Sequence, residues 1–212
     1  MLSRSKNRKL LIIGAGGQGK VVADIAENMG CYDEIIFADS YTDKKICVGF
    51  PVVTQDEITD SDYNECDVII AIGNSHTRGK IVDEFRRRGC FFPTLIHPKA
   101  VVARSANVDE GTVIMAGAVV NPEARVGKFC IVNTSSSIDH DCVIGDFCHV
   151  SVGAHLAGTV TVGEHTWIGA GACVNNNLDI CPECMIGSGS MVVNSITEPG
   201  VYMGVPARLK NS

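Results

Sequence analysis

From Ala100 the chain reads AVVARS, ANVDEG, TVIMAG, AVVNPE, ARVGKF, CIVNTS, SSIDHD, CVIGDF, CHVSVG, AHLAGT, VTVGEH, TWIGAG, ACVNNN, LDICPE, CMIGSG, SMVVNS. The third residue is Val, Ile or Leu in all sixteen blocks, from Val102 to Val192. Such residues make up roughly a quarter of an average protein, so chance does not produce the run. The first residue is small in fourteen of the sixteen, Val160 and Leu178 being the exceptions. A period of six is that of a parallel β-helix, because helical solenoids use longer units. Each block supplies a short strand and a corner. Residues two apart point the same way, so the small residue and the aliphatic both face inward. Three blocks close one triangular turn, giving five and a third turns in all. Gly127, Gly145, Gly163, Gly169 and Gly187 follow the aliphatic, where a tight corner leaves little room for a side chain.

The frame also sorts the ten cysteines. Cys130, Cys142, Cys148 and Cys184 occupy the small inward position and are expected to be inert buried groups. Cys181 and Cys184 fall at different repeat positions and should not point at one metal. Cys130 and Cys148, one turn apart, should stack at roughly the 4.8 Å strand spacing, slightly long for a disulfide.

No blocks of six precede Pro98. Lys9–Ile13 reads as a buried strand, followed by Gly14-Ala15-Gly16-Gly17-Gln18-Gly19-Lys20. Val21, Val22, Ile25, Ala26 and Met29 then lie at helical spacing, and Gly30 stops the helix. Glu34–Ala38 and Asp67–Ile72 read as further strands, and Arg78–Arg88 as a second helix ended by Gly89. The order is β-α-β-β-α-β, a small Rossmann-like α/β domain over residues 1–97 ahead of an all-β coil over 98–212. Gly14, Gly16 and Gly19 fit G-x-G-x-x-G, with Asp39 downstream. Bare N–H groups at a helix N-terminus seat a phosphate, and an acid at the next strand end can accept from a ribose hydroxyl. The loop also nearly fits a P-loop, but Val21 stands where Ser or Thr must hold magnesium. A nicotinamide enzyme is disfavoured because the domain is too short for a full dinucleotide fold.

The net charge is −6, without a basic stripe. That disfavours nucleic acid and anionic membrane surfaces as partners. No apolar run approaches the roughly 20 residues of a membrane span. Met1 to Lys9 is basic and polar, and Leu10–Ile13 is too short for a signal peptide, so a cytoplasmic protein without disulfides is expected.

Of six histidines, His140 stands out, at a corner between Asp139 and Asp141. A carboxylate accepting from one ring nitrogen leaves the other as a base and stabilises the protonated ring. His149 and His155 each precede an inward aliphatic and should face outward. No two histidines are eighteen or thirty-six apart, so no intrachain metal site is expected.

Several stretches carry a family resemblance: Gly14–Val22, Asp139-His140-Asp141-Cys142-Val143-Ile144-Gly145, Phe147–Ala154 and Gly204-Val205-Pro206-Ala207-Arg208. Over nearly the whole chain they resemble the sugar acetyltransferases that join a nucleotide-sugar-binding α/β domain to a left-handed β-helix. This group includes bacillosamine-pathway UDP-4-amino-sugar N-acetyltransferases, perosamine-type N-acetyltransferases and sialic acid O-acetyltransferase-like proteins. The resemblance implies a left-handed coil and direct acetyl transfer from acetyl-CoA to a UDP-4-amino-4,6-dideoxy sugar, with no metal. Acetylation of a sialic acid or other sugar hydroxyl is the alternative, and a non-catalytic nucleotide-binding scaffold a third. It implies His140 as general base, oriented by Asp141 and helped by Asn133. His149, Gly158 and Ser188 would bind acetyl-CoA. Gly14, Gly16, Gly17, Gln18, Gly19, Asp39, Ser40, Gly73 and Asn74 would bind the nucleotide-sugar. It further implies a homotrimer with active sites between subunits. Two positions depart from the group's pattern: Gln18 stands where a His is expected, and Asp39-Ser40 holds one acid in place of two.

Overall fold

A computed structural model describes residues 8–58 and 65–210, so the first seven residues of the basic N-terminus lie outside the described residues. The chain divides into two compact units, Met1–Pro98 and Lys99–Ser212.

In the first unit the elements are β1 (Lys9–Ile13), α1 (Gly17–Met29), β2 (Glu34–Ala38), β3 (Ile46–Cys47), β4 (Phe50–Val53), β5 (Cys66–Ile70), α2 (Ser75–Arg87) and β6 (Leu95–Ile96). The sheet order is β3-β4-β2-β1-β5. β2, β1 and β5 run parallel, as does β4 beside β2. Apolar runs such as Leu10–Ile13 and Val68–Ile70 are buried throughout, as strands covered on both faces must be. On α1 the stripe Val22, Ile25 and Ala26 is buried, with Ala23 beside it. Val21 faces out, contrary to expectation: it stands four residues before Ile25 but beyond the edge of the buried stripe of Val22, Ile25 and Ala26. Gly30 ends α1 in the left-handed region, as expected.

Three details differ from the sequence reading. The β3–β4 hairpin was not anticipated; its turn, Val48-Gly49, has φ of 42° and 90°, the primed turn that fits a two-residue hairpin. The third long strand ends at Ile70, two residues early. The second helix starts at Ser75, ahead of Arg78, because Asn74 caps it: its Oδ1 accepts from the Thr77 N–H at 2.9 Å.

In the second unit, sixteen short strands, β7 (Val101–Val102) to β22 (Met191–Val192), follow the blocks of six. From β7 to β19 each pairs in parallel with the strand eighteen residues on, as Val119 with Ser137 and Ser137 with His155. The aliphatic column is buried from Ile114 to Val192. Only Val102 and Val108 are half-buried, on the strands that end their sheets. From Gly111 to Gly189 the left-handed residue of each corner is the sixth of its block, including Phe129, Asp141, Phe147, Thr159, His165 and Asn177. The glycine after the aliphatic is needed for another reason: a Cβ on Gly145 would lie 2.6 Å from the Glu164 nitrogen of the next rung.

The small inward residues also do more than fill space. Thr112 Oγ1 donates to the Gly127 carbonyl at 2.7 Å. Cys130 Sγ donates to Gly145, Cys142 to Ala157 and Cys148 to Gly163, at 3.1–3.2 Å. These cysteines are therefore hydrogen-bond donors inside the coil, satisfying carbonyls that would otherwise be buried without a partner.

The turn count differs slightly from five and a third. β22 is followed by a bridge of Ile196 to Ile180, and β23 (Gly200–Met203) pairs with β21 (Cys184–Ile186). These complete a sixth turn. Ile196 lies sixteen residues after Ile180, and Tyr202 sixteen after Ile186, so the last turn is two residues short and the frame of six does not reveal it. β24 (Arg208–Leu209) closes the edge antiparallel to β23.

Candidate active site

His140 occupies the corner between β13 (Ser137–Ile138) and β14 (Val143–Ile144). Asp141 is the left-handed residue of that corner, with φ of 59°. This turns its side chain back, and Oδ2 lies 2.8 Å from His140 Nδ1. Nδ1 carries the proton toward the carboxylate, which leaves Nε2 as the basic nitrogen. Asp139 completes the corner. Its Oδ1 accepts from the His140 backbone N–H at 2.8 Å and from Asn121 Nδ2, one rung below, at 2.7 Å. These two donors hold the Asp139 carboxyl below its usual range. The His140 pKa is raised, first by the hydrogen bond to Asp141, with slight burial opposing and the charges of Asp139 and Asp141 adding.

The ring of His140 leans over the next rung, where Gly158 stands. A Cβ there would lie 2.5 Å from both Cε1 and Nε2. Glycine is thus required for the ring to lie where it does.

His149 and Asn133 form a second cluster. Asn133 Nδ2 is 3.1 Å from His149 Nε2, and Asn133 Oδ1 accepts from the Thr134 N–H at 2.8 Å, so the amide presents its NH₂ group to the ring. The His149 ring stacks on Trp167, centroids 5.5 Å apart and 4° from parallel. Trp167 Nε1 in turn donates to Ser151 Oγ. Asn133, expected to assist His140, is thus placed with His149. Ser188 follows β21 in the corner column of Thr134, three turns further on.

The two clusters do not meet within one chain. His140 and His149 are nine residues apart, half of an eighteen-residue turn, and therefore lie on opposite sides of the coil. His155 faces outward as expected, its Nδ1 2.8 Å from Ser137 Oγ.

In the α/β unit, the predicted nucleotide residues gather at the carboxyl ends of β1, β2 and β5, where ligands bind in open α/β sheets. Gly14 has φ of 103°, and a Cβ on Gly19 would run into the Gly14 carbonyl, so this loop closes only with glycine at both places. Gly16 and Gly17 have open space where side chains would stand. The first turn of α1 carries no capping side chain and no acid, which suits it to an anion. Asp39 is already engaged: Oδ2 accepts from the Ala15 N–H and Oδ1 from the Tyr41 N–H, each at 2.8 Å. It ties the glycine loop to the end of β2, where Ser40 follows. Gly73 and Asn74 follow β5. The Gly73 carbonyl, with that of Ile72, accepts from the buried Arg78 Nη1 at 2.9 and 2.7 Å.

Sequence reasoning missed Arg78, Trp167 and Asn121. The eighteen-residue period offered Asn121 as the rung partner of Asp139; nothing in the sequence marked Arg78 as buried. It also misjudged one cysteine pair. The Sγ atoms of Cys181 and Cys184, expected to diverge, lie 3.5 Å apart. The intervening Glu183 is left-handed, with φ of 62°, and folds the fourth position of one block back over the first of the next. Among the described residues no helix is long and apolar enough to cross a membrane.

The PglD N-terminal domain family matches residues 9–85. The UDP-N-acetylbacillosamine N-acetyltransferase of Bacillus subtilis (strain 168) is 34% identical over 116 residues, spanning 51% of this chain and 52% of the relative, so the match spans about half of that curated protein. The acetyltransferase domain of PglB from Neisseria gonorrhoeae FA1090, solved in complex with acetyl coenzyme A, is 38% identical, with TM-score 0.90 over 97% of this chain and 100% of that one. PerB from Caulobacter crescentus, solved in complex with CoA and GDP-perosamine, is 32% identical, with TM-score 0.89 over 96% of this chain and 97% of that one.

Proposed function

This chain belongs to the left-handed β-helix sugar acetyltransferases, and from that premise we propose that it moves the acetyl group of acetyl-CoA to the amino group of a nucleotide-linked amino-sugar. A UDP-4-amino-4,6-dideoxy sugar is the preferred acceptor, in keeping with the bacillosamine enzyme among the relatives. The observation that carries the reading is His140, with Nδ1 tied to Asp141 and Nε2 lying over Gly158.

The chemistry follows from what acetyl transfer needs. As the acceptor amine attacks the thioester carbonyl, His140 Nε2 takes a proton from the nitrogen. Asp141 stabilises the imidazolium that forms. The tetrahedral oxyanion is met by hydrogen-bond donors. The carbon–sulfur bond then breaks, and CoA leaves as a thiolate that takes up the proton. His149, oriented by Asn133 and Trp167, holds the acetyl end of acetyl-CoA, with Gly158 and Ser188 along the coenzyme. The glycine loop, Asp39, Ser40, Gly73 and Asn74 hold the nucleotide. Since His140 and His149 face opposite ways on one coil, the site needs the His149 face of a neighbouring copy, and a homotrimer supplies it.

The direct test is a panel of UDP-, GDP- and dTDP-amino-sugars assayed for acetyl-CoA-dependent thiol release. Turnover with one nucleotide class is expected. Release with a free sialic acid, and with no nucleotide-linked amino-sugar, would move the assignment to O-acetylation. Sedimentation of a fully active monomer would remove the shared site.

A further inference from the structure

All ten cysteines are free thiols, and one pair is set apart from the rest. Cys181 directly follows the strand β20 (Asp179–Ile180), and Cys184 opens β21. The corner Pro182-Glu183 between them brings the two sulfurs to 3.5 Å. This corner lies on a different edge of the coil from that of His140, and acetyl transfer as described uses neither thiol. The two cysteines are unequal. Cys184 points into the coil and is 2% exposed, whereas Cys181 is part-exposed. Burial, with the nearby Cys181, pushes the Cys184 thiol up to about 12, so it is a poor first nucleophile.

We propose that Cys181 and Cys184 form a reversible dithiol–disulfide site whose oxidant is a low-molecular-weight disulfide such as oxidised glutathione. Cys181, as thiolate, attacks one sulfur of the oxidant; the oxidant's S–S bond breaks, and one small thiolate leaves and takes up a proton. Cys184 then loses its proton and attacks Cys181 Sγ, expelling the second small thiolate, which is protonated in turn. Two protein thiols thus lose two electrons and two protons, and the oxidant becomes two thiols. A disulfide is about 2.05 Å long, so the sulfurs need to close by roughly 1.5 Å. Zinc would need further ligands, and among the described residues no histidine, third cysteine or carboxylate groups with these two sulfurs.

The position gives the bond a consequence. Cys184 Sγ also rests 3.7 Å from the Glu198 carbonyl, and the Cys181 N–H donates to the Ile196 carbonyl at 2.9 Å. The pair therefore sits where the shortened sixth turn lies against the fifth. Oxidation ties that corner shut and withdraws the Cys184 thiol from Glu198.

The test exposes the reduced full-length chain to oxidised glutathione at about pH 8, near the ordinary thiol pKa. Differential alkylation and peptide mass spectrometry follow. The expected result is joint loss of both thiols from the Cys181–Cys184 peptide, with no glutathione retained and full recovery on reduction. Cys184→Ser should trap one glutathione on Cys181, and Cys181→Ser should leave Cys184 unmodified. Ser and Thr already hold the same inward position at Ser190 and Thr166, so Cys184→Ser is compatible with the coil. A wild-type peptide that stays fully alkylatable, or that keeps a stable glutathione adduct, overturns the proposal.

Discussion

The α/β unit and the coil present their candidate functional groups in opposite ways. In the α/β unit the groups are backbone N–H donors in loops at strand ends, and side chains such as Asp39, Asn74 and Arg78 serve to hold those loops. In the coil the backbone is spent on rung pairing, and the functional groups are side chains stacked one turn apart, as Asn121 under Asp139 and His140 over Gly158. The difference teaches where a substitution will be felt. At Gly19 of the glycine loop an added atom acts on the loop itself. In the coil it acts on the rung above or below.

The largest effect expected is at the base. His140→Ala should lower kcat by about 10²–10⁴ while the melting temperature and acetyl-CoA affinity stay near wild type, because the ring is exposed and in the proposed mechanism acts on the acceptor's proton. Normal turnover across neutral pH would shift the base elsewhere. In the α/β unit the matching change is Gly19→Ala, which drives a Cβ into the Gly14 carbonyl. Calorimetry should then show loss of nucleotide-sugar binding with acetyl-CoA binding retained; equal loss of both would mean that the damage is not confined to the loop.

The coil column comes next. Ile168→Ala should cost about 2–5 kcal/mol in denaturant unfolding, since its side chain is fully buried and stacks on Val150 and Ile186. Gly158→Ala sharpens the contrast because it touches no core. It should displace the His140 ring and cost about 10²-fold in kcat or less, with unfolding hardly changed. Unchanged kcat would show that the ring need not lie over Gly158.

The smallest effect is electrostatic. The carboxylates of Asp141 and Asp139 raise the His140 pKa by favouring imidazolium. In the proposed mechanism activity rises with pH as His140 loses its proton. Asp141→Asn, and less strongly Asp139→Asn, should therefore move the acidic limb of the pH–rate profile to lower pH. The linked stability runs the opposite way to activity. It is present below the ordinary histidine value and fades as pH rises through the raised one. Direct titration of His140 by NMR checks the shift independently of turnover; an unmoved pKa would leave the carboxylates a purely geometric role.

The legibility of the molecule followed its periodicity. The coil could be counted, because an inward aliphatic is required at every rung and each rung repeats the same geometry. The count ended early because the sixth turn drops two residues and Ile196 leaves the frame. The β3–β4 hairpin was harder to see: two strands of two and four residues carry too few alternations to register.

By itself, the sequence determined the coil, its rung partners eighteen residues apart, the glycine loop and the pairing of His140 with an adjacent carboxylate. These rest on local rules: side-chain direction along a strand, backbone freedom at glycine, and neighbours in the chain. Tertiary structure alone decided that Asn133 hydrogen-bonds to His149, that His140 and His149 face away from each other, that Arg78 is buried under the Gly73 loop, and that two cysteines meet across a corner. Each of those depends on where a side chain ends after the backbone has turned a corner. The left-handed sixth residue of a block, Glu183 among them, redirects it, and no one residue type marks that position in the sequence.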